Sequence, residues 1–556
     1  MHTADAFVSL ASLRAGTASV PVRVLLIGPY DPHGGEYTFL APPLGVWRLA
    51  GVLEQHGIAA QVFDPNCCSD PPEAVLSALL TQHRWDVIGI STTGMTLRYD
   101  LALAHLAKRL QPGACLIAGG MEATFEPEGM LSLAPFDLVV LGEGEEPLLE
   151  IAKRLAAQAG VENIRGTVWR DAAGTVRRLP AAALGPDDLR RSIFAIPYEC
   201  MPYPQYWERL EKSYELGALP NKADREARLA EIRSVRLITL NYCPMRCTFC
   251  SSTNFLNAAQ GSTAKIARLD AADSVSMVER IVAAQPGVRT VIFQDDIFVF
   301  RKDDRVLPLC NAIVEAKTSG RIPHDLQFIS TNRIDAMTPG NLAAMRRAGF
   351  RVLGFGIESF SLEILREFNK AQIYPFIEPV LRNALSLGIT PFLDMILSSP
   401  RCELEDVAEN VRQAFTWTLA GCEVGLYPYV IPFSGAAMAS DPALRPSTIS
   451  KKRYIAGSRV HWRQAVKILP LNPVVRDVIL QIETAYEDWL EQITEVVAHL
   501  PSRVRSLLWI LSAVPVLDRR GCRVPPREAV VHALVQRLPQ TSARTVTSMM
   551  LDELQV

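Results

Sequence analysis

From Val22 onward the chain alternates short apolar runs with stretches whose apolar residues recur at helical spacing. The first runs are Val22 to Ile27, Ala59 to Phe63, Asp86 to Ser91, Cys115 to Ala118 and Asp137 to Leu141. Helical patterns lie between and after them, at Leu44 to His56, Glu73 to Gln82, Leu97 to Leu110 and Glu145 to Ala156. Such alternation predicts a parallel sheet with helices on both faces, a doubly wound α/β domain over residues 22–158. Gly57 fits a left-handed cap on the first helix. Residues 1–21 carry no usable pattern and stand as an N-terminal extension.

The pattern changes over residues 159–232. Thr167 to Arg170 and Thr175 to Arg178 flank Asp171-Ala-Ala-Gly174 and predict a hairpin; a Pro- and Tyr-rich stretch and the charged helix Lys222 to Ile232 complete a linker that docks the two flanking domains face to face. Over residues 233–440 the alternation resumes six times, with strands at Val235 to Leu240, Thr290 to Phe293, Leu326 to Ser330, Val352 to Gly356, Pro391 to Leu397 and Val424 to Val430. Six strand-helix units predict a partial (β/α)6 barrel with its chemistry at the carboxyl ends of the strands. Residues 441–556 are mostly helical in pattern, at Val475 to Leu500, Ser502 to Leu511 and Arg527 to Leu538, and read as a cap over the barrel mouth or an oligomer contact.

Composition narrows the function classes. The 57 basic and 59 acidic residues leave a net charge of -2, so no basic face for nucleic acid is indicated. The longest markedly apolar segment, Leu507 to Leu517, is broken by Ser512 and Pro515 and is too short to span a bilayer. No charged-then-apolar secretory opening is present at the start. Eleven cysteines, three of them clustered, suit a reducing cytoplasm better than a disulfide framework.

The cluster is Cys243-Pro-Met-Arg-Cys247-Thr-Phe-Cys250, directly after an apolar run. Three thiolates at this spacing can hold three irons of a 4Fe-4S cluster and leave the fourth open to an outside ligand. The alternatives are a zinc site, which would want a fourth ligand close by, or three buried thiols. The motif, with Phe249 before its last cysteine, resembles the signature of the radical S-adenosylmethionine (SAM) superfamily. That resemblance implies that Cys243, Cys247 and Cys250 ligate the cluster and that its open iron chelates SAM.

Ligands of doubly wound sheets lie beyond the strand ends. Those ends read Gly28-Pro-Tyr-Asp-Pro-His-Gly-Gly35, Ser91-Thr-Thr-Gly94, Gly119-Gly-Met-Glu-Ala-Thr124 and Gly142-Glu-Gly-Glu145. With Pro42-Pro-Leu-Gly45 they resemble the cobalamin-binding (Rossmann-like) domain of a large branch of the superfamily. The resemblance implies that Ser91, Thr92, Thr93, Gly119, Gly120, Thr124, Gly142, Glu143, Gly144 and Glu145 bind cobalamin. Two departures are Glu122, where the family often has His, and Glu36, where the Asp31-x-His33 box would close with Gly. His33 is the one candidate lower ligand for cobalt, in a branch that commonly has none.

The barrel strands end in Gln294-Asp-Asp296, Thr331-Asn-Arg333, Gly356-Ile-Glu-Ser359 and Pro428-Tyr-Val-Ile-Pro432. SAM needs an acceptor for its ammonium, a donor for its carboxylate and an acceptor for its ribose hydroxyls. Asp295 or Asp296, Arg333 and Glu358 are the respective candidates. Gln294, Asn332, Ser359 and Pro432 join them by position, and Leu365-Arg-Glu-Phe-Asn369-Lys looks like the continuation of the family's ribose-contacting turn. Tyr427, Tyr429 and Cys422 are conceivable hydrogen donors, although packing explains each as well. The resemblance implies cobalamin-dependent radical C-methylation of a small molecule, with oxidation, cyclisation or ring rearrangement as the alternative outcome. It also implies an electron donor such as flavodoxin or ferredoxin.

Overall fold

The computed structural model describes residues 7–9, 20–33, 40–213, 222–301, 304–370, 377–455, 458–494 and 502–538. The first sheet contains β1 (Phe7–Ser9), β2 (Val20–Ile27), β3 (Ile58–Phe63), β4 (Val87–Ser91), β5 (Cys115–Gly119), β6 (Leu138–Val140), β7 (Thr167–Arg170) and β8 (Val176–Leu179). Their spatial order is β1-β3-β2-β4-β5-β6-β7-β8. The pairs from β3 through β6 are parallel, while β1 and the β7–β8 hairpin add antiparallel edges. β1 falls in the stretch without a usable pattern; three residues are too few to display a period of two. The predicted hairpin is present, and its Trp169 pairs with Leu138, so it extends this sheet. Because β3 and β4 flank β2 on opposite sides, the topological switch point lies between β2 and β4.

Helix Leu44–Gln55 buries Trp47, Ala50 and Leu53 at helical spacing, and Gly57 after it has φ +73°. Its Gly51 is a packing requirement, since a Cβ there would lie 2.0 Å from the Ala195 carbonyl oxygen of the segment leading to the barrel.

The second sheet is a six-stranded open arc of β9 (Ser234–Leu237), β10 (Thr290–Phe293), β11 (Gln327–Asn332), β12 (Phe350–Glu358), β13 (Thr390–Ile396) and β14 (Glu423–Tyr427), in sequence order. Every pair is parallel. This is the predicted partial barrel. Helix starts follow local chemistry: the Thr338 hydroxyl accepts from Asn341 N at 3.1 Å ahead of Pro339, and Asp270 caps at 2.7 Å.

Beyond Gly435 two findings depart from the sequence pattern. Thr448–Tyr454 (β15) and His461–Ile468 (β16) form an antiparallel hairpin. Its run of lysines and arginines hides the strand alternation from an apolar-polar reading. The helices Pro473–Thr494, Ser502–Asp518 and Arg527–Val535 are present, with residues 495–500 of the first pattern outside the described residues. Ser506 donates to Val424 O and accepts from Leu426 N at 3.2 Å, so helix Ser502–Asp518 covers the edge strand β14. No helix among the described residues is long and apolar enough to cross a membrane.

Candidate active site

A cavity of about 840 Å³ opens beyond β2, β4 and β5. Ser91, Gly119, Gly120, Gly142, Glu143 and Gly144, all singled out from the sequence, line it together with Arg48 and Phe255. Gly119 and Gly45 present bare backbone: a Cβ on either would meet nothing within 4 Å and would stand in the cavity. Gly120 differs, with φ +94° and a hypothetical Cβ 2.6 Å from Thr92 O. Burial lifts the Glu143 carboxyl to about 7, against the pull of Arg48 3.5 Å away. Its Oε2 is buried without a hydrogen-bond partner. A bare backbone cradle and an unmatched buried acceptor suit a large ligand carrying donors.

Other exit residues hold the loops rather than face this cavity. Thr92 Oγ1 donates to Gly119 O at 3.0 Å and accepts from Ala123 N at 3.2 Å. Thr124 Oγ1 donates to Gly120 O and accepts from Gly142 N, both at 2.9 Å. Glu145 is buried in an ion pair with Arg48. Thr92 and Thr124 thus fasten the loops, while Glu145, like Glu143, keeps a buried Oε2 without a hydrogen-bond partner. Thr93 lines a second cavity, of about 1850 Å³, between the two sheets. His33 is exposed, lies 3.0 Å from the Tyr99 hydroxyl and lines neither cavity; Glu36 lies outside the described residues.

The three cysteines follow β9 on a loop pinned by the Leu365-to-Lys370 turn. Thr248 N donates to Phe368 O at 3.0 Å, Thr248 Oγ1 to Glu367 O at 2.9 Å, and Asn369 Nδ2 to Arg246 O at 2.8 Å. Phe249 packs on Phe368 with ring centroids 4.9 Å apart. Burial first, then Asp296 and the other two thiols, push Cys243 up to about 12. Burial and Asp296 also raise Cys250. Among the described residues no three Cys, His, Asp or Glu side chains converge tightly enough for a single metal ion. A cluster takes one thiolate per iron, so three thiols on one loop are the donor set it asks for, whereas a closed zinc site would need a fourth ligand.

The SAM candidates divide sharply. Asp295 is buried, accepting from Thr239 N at 2.6 Å and Leu240 N at 2.9 Å with Arg305 3.3 Å away, so it braces the exit of β9. Asp296 instead is exposed and hydrogen-bonded to Ser252, close enough to Cys243 and Cys250 to raise both thiols, and desolvation by its surroundings raises its own carboxyl. Arg333 is held in a two-point pair by Asp335, both contacts 2.9 Å. Asn332 bonds back to Ser330 O at 2.9 Å, Ser359 Oγ lies 2.9 Å from Asn410 Oδ1 and Phe360 N donates to that same oxygen at 2.8 Å, while Gln294 is bound by Arg236. Asn332 and Ser359 thus serve the fold; Gln294 lines the interdomain cavity, and Pro432 is buried between the lining residues Ile431 and Phe433.

Glu358 sits at φ +62°, where the β12–β13 register shifts, and meets Lys370 Nζ at 2.6 Å. A left-handed non-glycine residue at a strand end is stored strain, of the kind found at ligand sites. Gly356 makes room for the pair: a Cβ there would lie 2.5 Å from Glu358 Oε1 and 2.7 Å from Lys370 Nζ.

A third cavity, of about 1080 Å³, joins Cys250, Ser252, Glu358, Tyr427 and Phe433 with Asp394. Asp394 was missed in the sequence, although a lone carboxylate in the apolar run of β13 was a usable signal. Burial, then Glu358, lifts it to about 7, while Lys370 pulls the other way. The hydrogen-donor candidates separate too. Tyr427 lines both this cavity and the interdomain one. Tyr429, although its ring reaches the cavity, donates its hydroxyl to Glu483 at 2.8 Å. Cys422 is buried at the opposite end of β14.

Comparison with known proteins matches residues 32–152 to the B12 binding domain and residues 237–414 to the Radical SAM superfamily. The chain is 24% identical over 385 residues to an uncharacterized methyltransferase of Pyrococcus horikoshii, covering 67% of this chain and 73% of that protein. It is 26% identical over 356 residues to cytidylyl-2-hydroxyethylphosphonate methyltransferase of Streptomyces wedmorensis, covering 59% of this chain and 63% of the relative. Its fold is similar to the cobalamin-dependent S-adenosylmethionine radical enzyme OxsB solved with aqua-cobalamin and S-adenosylmethionine, with a TM-score of 0.64 at 14% identity over 97% of this chain and 80% of that one.

Proposed function

This chain is a cobalamin-dependent radical SAM enzyme, and from that premise we propose that it methylates an unactivated carbon of a small molecule, in the biosynthesis of a specialised metabolite. The observation that carries the reading is a shared wall. Met95, Ser251, Ser252, Tyr427 and Phe433 line both the interdomain cavity and the cavity at Cys250, and Leu44 of the interdomain wall adjoins Gly45 of the first cavity, so a substrate in the interdomain space lies between the two cofactor sites. The two methyltransferase relatives support the same direction.

When bound, the cluster with SAM supplies hydrogen-atom abstraction and methylcobalamin supplies the methyl group. The chain's own residues do the placing. Cys243, Cys247 and Cys250 hold the cluster; Asp296 offers an acceptor for the SAM ammonium. Glu358 and Asp394, side by side at the ends of β12 and β13, offer acceptors for the ribose hydroxyls, and Lys370 balances their charge. Glu143 and the bare backbone of Gly45 and Gly119 receive the buried part of cobalamin. Met95, Tyr427 and Phe433 exclude water from the volume between. Electrons come from an external carrier of the flavodoxin or ferredoxin type, in a reducing cytoplasm.

The test is incubation of the reconstituted enzyme with SAM bearing a trideuterated methyl group and candidate substrates, read by mass spectrometry. Product heavier by a trideuterated methyl group supports methyl transfer. Unlabelled product formed alongside 5′-deoxyadenosine rejects it in favour of oxidation, cyclisation or ring rearrangement.

A further inference from the structure

The β15–β16 hairpin has two unlike faces. Its inner face packs on the first domain: Ile455 is buried there with Trp462 beside it, and Gln464 donates to Gly94 O. On the outer face Lys452 stands directly opposite Arg463, and Tyr454 directly opposite His461. All four are exposed, Tyr454 at 65%. Among the described residues neither Lys452 nor Arg463 has an acidic or hydrogen-bonding partner. Like charges directly across an antiparallel pair repel and weaken a hairpin. The fold gains nothing from this pair, whereas an anionic partner would turn the repulsion into attraction.

The hairpin borders the redox site at two places: Gln464, next to Arg463, bonds Gly94 beside the cavity-lining Met95, and the base of the hairpin joins the barrel. Ile468 N donates to Val430 O at 2.9 Å, and Val430 lines the cavity that holds Cys250. We infer that the outer face of this hairpin docks a small acidic one-electron carrier protein. The inference rests on the reductive chemistry proposed above, which consumes an electron that no group of this chain supplies. One electron leaves the reduced carrier and one enters the cluster; no proton moves and no covalent bond changes. Seven residues of strand span about 23 Å, a patch suited to the small interfaces of transient electron-transfer encounters. Exposed Tyr454 supplies the aromatic contact and the cations supply steering. The chain's net charge of -2 does not favour nucleic acid, whose binding is built on many phosphate contacts.

The experiment uses the full reconstituted enzyme and an acidic flavodoxin in its hydroquinone form, without substrate. Affinity and the rate of flavodoxin oxidation are measured against ionic strength for wild type, Lys452→Glu/Arg463→Glu and the control Lys153→Glu. At low salt the double reversal is expected to bind at least about tenfold more weakly, with the control unchanged and the wild type falling toward the variant as salt rises. Dithionite should reduce the cluster equally in all three. Lys452→Gln/Arg463→Gln guards against misfolding, because removing the repulsion should raise the melting temperature while weakening flavodoxin binding.

Wild-type affinity and oxidation rate in the double reversal would overturn the inference, as would loss of dithionite reduction in it. Tighter binding of a single-stranded RNA, lost in the same variant, would overturn it in favour of a nucleic-acid partner. Since no methyl transfer is read, a failure of the methylation proposal leaves these outcomes intact.

Discussion

Gly119 and Gly120 are adjacent, both line the cavity of the first domain, and should fail in opposite ways when substituted. Gly119 ends β5 with an ordinary φ, and a Cβ there meets nothing within 4 Å. Gly119→Val therefore adds three carbons to open space and leaves the empty protein unharmed; loss of glycine's freedom in the unfolded chain should even stabilise it, by about 0.4–1 kcal/mol. A ligand lying on that backbone must instead shift or be compressed. Overpacking of a fitted site costs about 1–3 kcal/mol, which converts to roughly 5- to 150-fold weaker cobalamin binding. Gly120→Ala places its methyl 2.6 Å from Thr92 O at φ +94°, so its cost falls on the fold. The assay is a spectrophotometric titration with hydroxocobalamin beside thermal melting followed by circular dichroism. If Gly119→Val binds within twofold of wild type, or melts as early as Gly120→Ala, the cavity does not hold cobalamin in the way reasoned.

Alanine at Cys243, Cys247 or Cys250 should abolish iron loading and SAM cleavage while leaving the cobalamin titration unchanged, read by iron analysis and 5′-deoxyadenosine formation. Glu358→Gln should leave Lys370 with only Asp394 to balance it, at a cost below the roughly 3–5 kcal/mol of a wholly unpaired buried charge, whereas Glu358→Gln with Lys370→Met should melt nearer wild type; SAM affinity should fall in both. Burial lifts Asp100 to about 7, against donors at Thr96, Tyr30 and Thr93. A carboxyl raised on folding favours the native state below its unfolded pKa and withdraws that contribution as pH rises through about 7, roughly 4 kcal/mol in all. Wild type should therefore lose more of its melting temperature than Asp100→Asn between pH 5 and 8; equal slopes would refute the assignment.

The two sheets were legible because their strands are buried on both faces and read as continuous apolar runs between helical periods. The cysteine loop was legible because its chemistry is local, with all three candidate thiols inside eight residues. What stayed hidden was non-local or charged. Whether Asp295 or Asp296 faces the site depends on which one β9 captures, and Asp295 was taken by Thr239 and Leu240. Arg333 could be chosen from its strand end, but the Asp335 that fixes it is visible only in the fold. Thr92 and Thr124 sit where ligand contacts were expected because glycine-rich exits need fastening, and sequence alone does not separate a fastener from a contact. β15 and β16 escaped notice because cations occupy positions that an amphipathic strand would give to apolar residues.

The segment between the hairpin and the barrel bears directly on how the two chambers cooperate. It was read as a linker that docks the two ligand domains face to face, and Tyr198, Tyr203, Tyr206 and Trp207 are all buried in it. Tyr198 donates to Arg236 O at 2.8 Å, Tyr203 accepts from Arg236 N at 3.1 Å, and Trp207 donates to Ser234 O at 3.2 Å, so β9 is held along its backbone. From the same helix Tyr206 donates to Asp64 at 2.9 Å, beyond the end of β3. Asp64 and Asn66 in turn carry the first exit loop, with Asn66 accepting from Asp31 N and donating to Pro29 O, both at 2.9 Å. One short aromatic stretch therefore grips the strand that presents the cysteines and the loop that borders the cobalamin side. A reaction that hands a substrate from one chamber to the other depends on a fixed separation, since small misplacements cost large factors in rate. A flexible tether would leave that separation to chance; a buried wedge of four aromatic rings sets it in the fold.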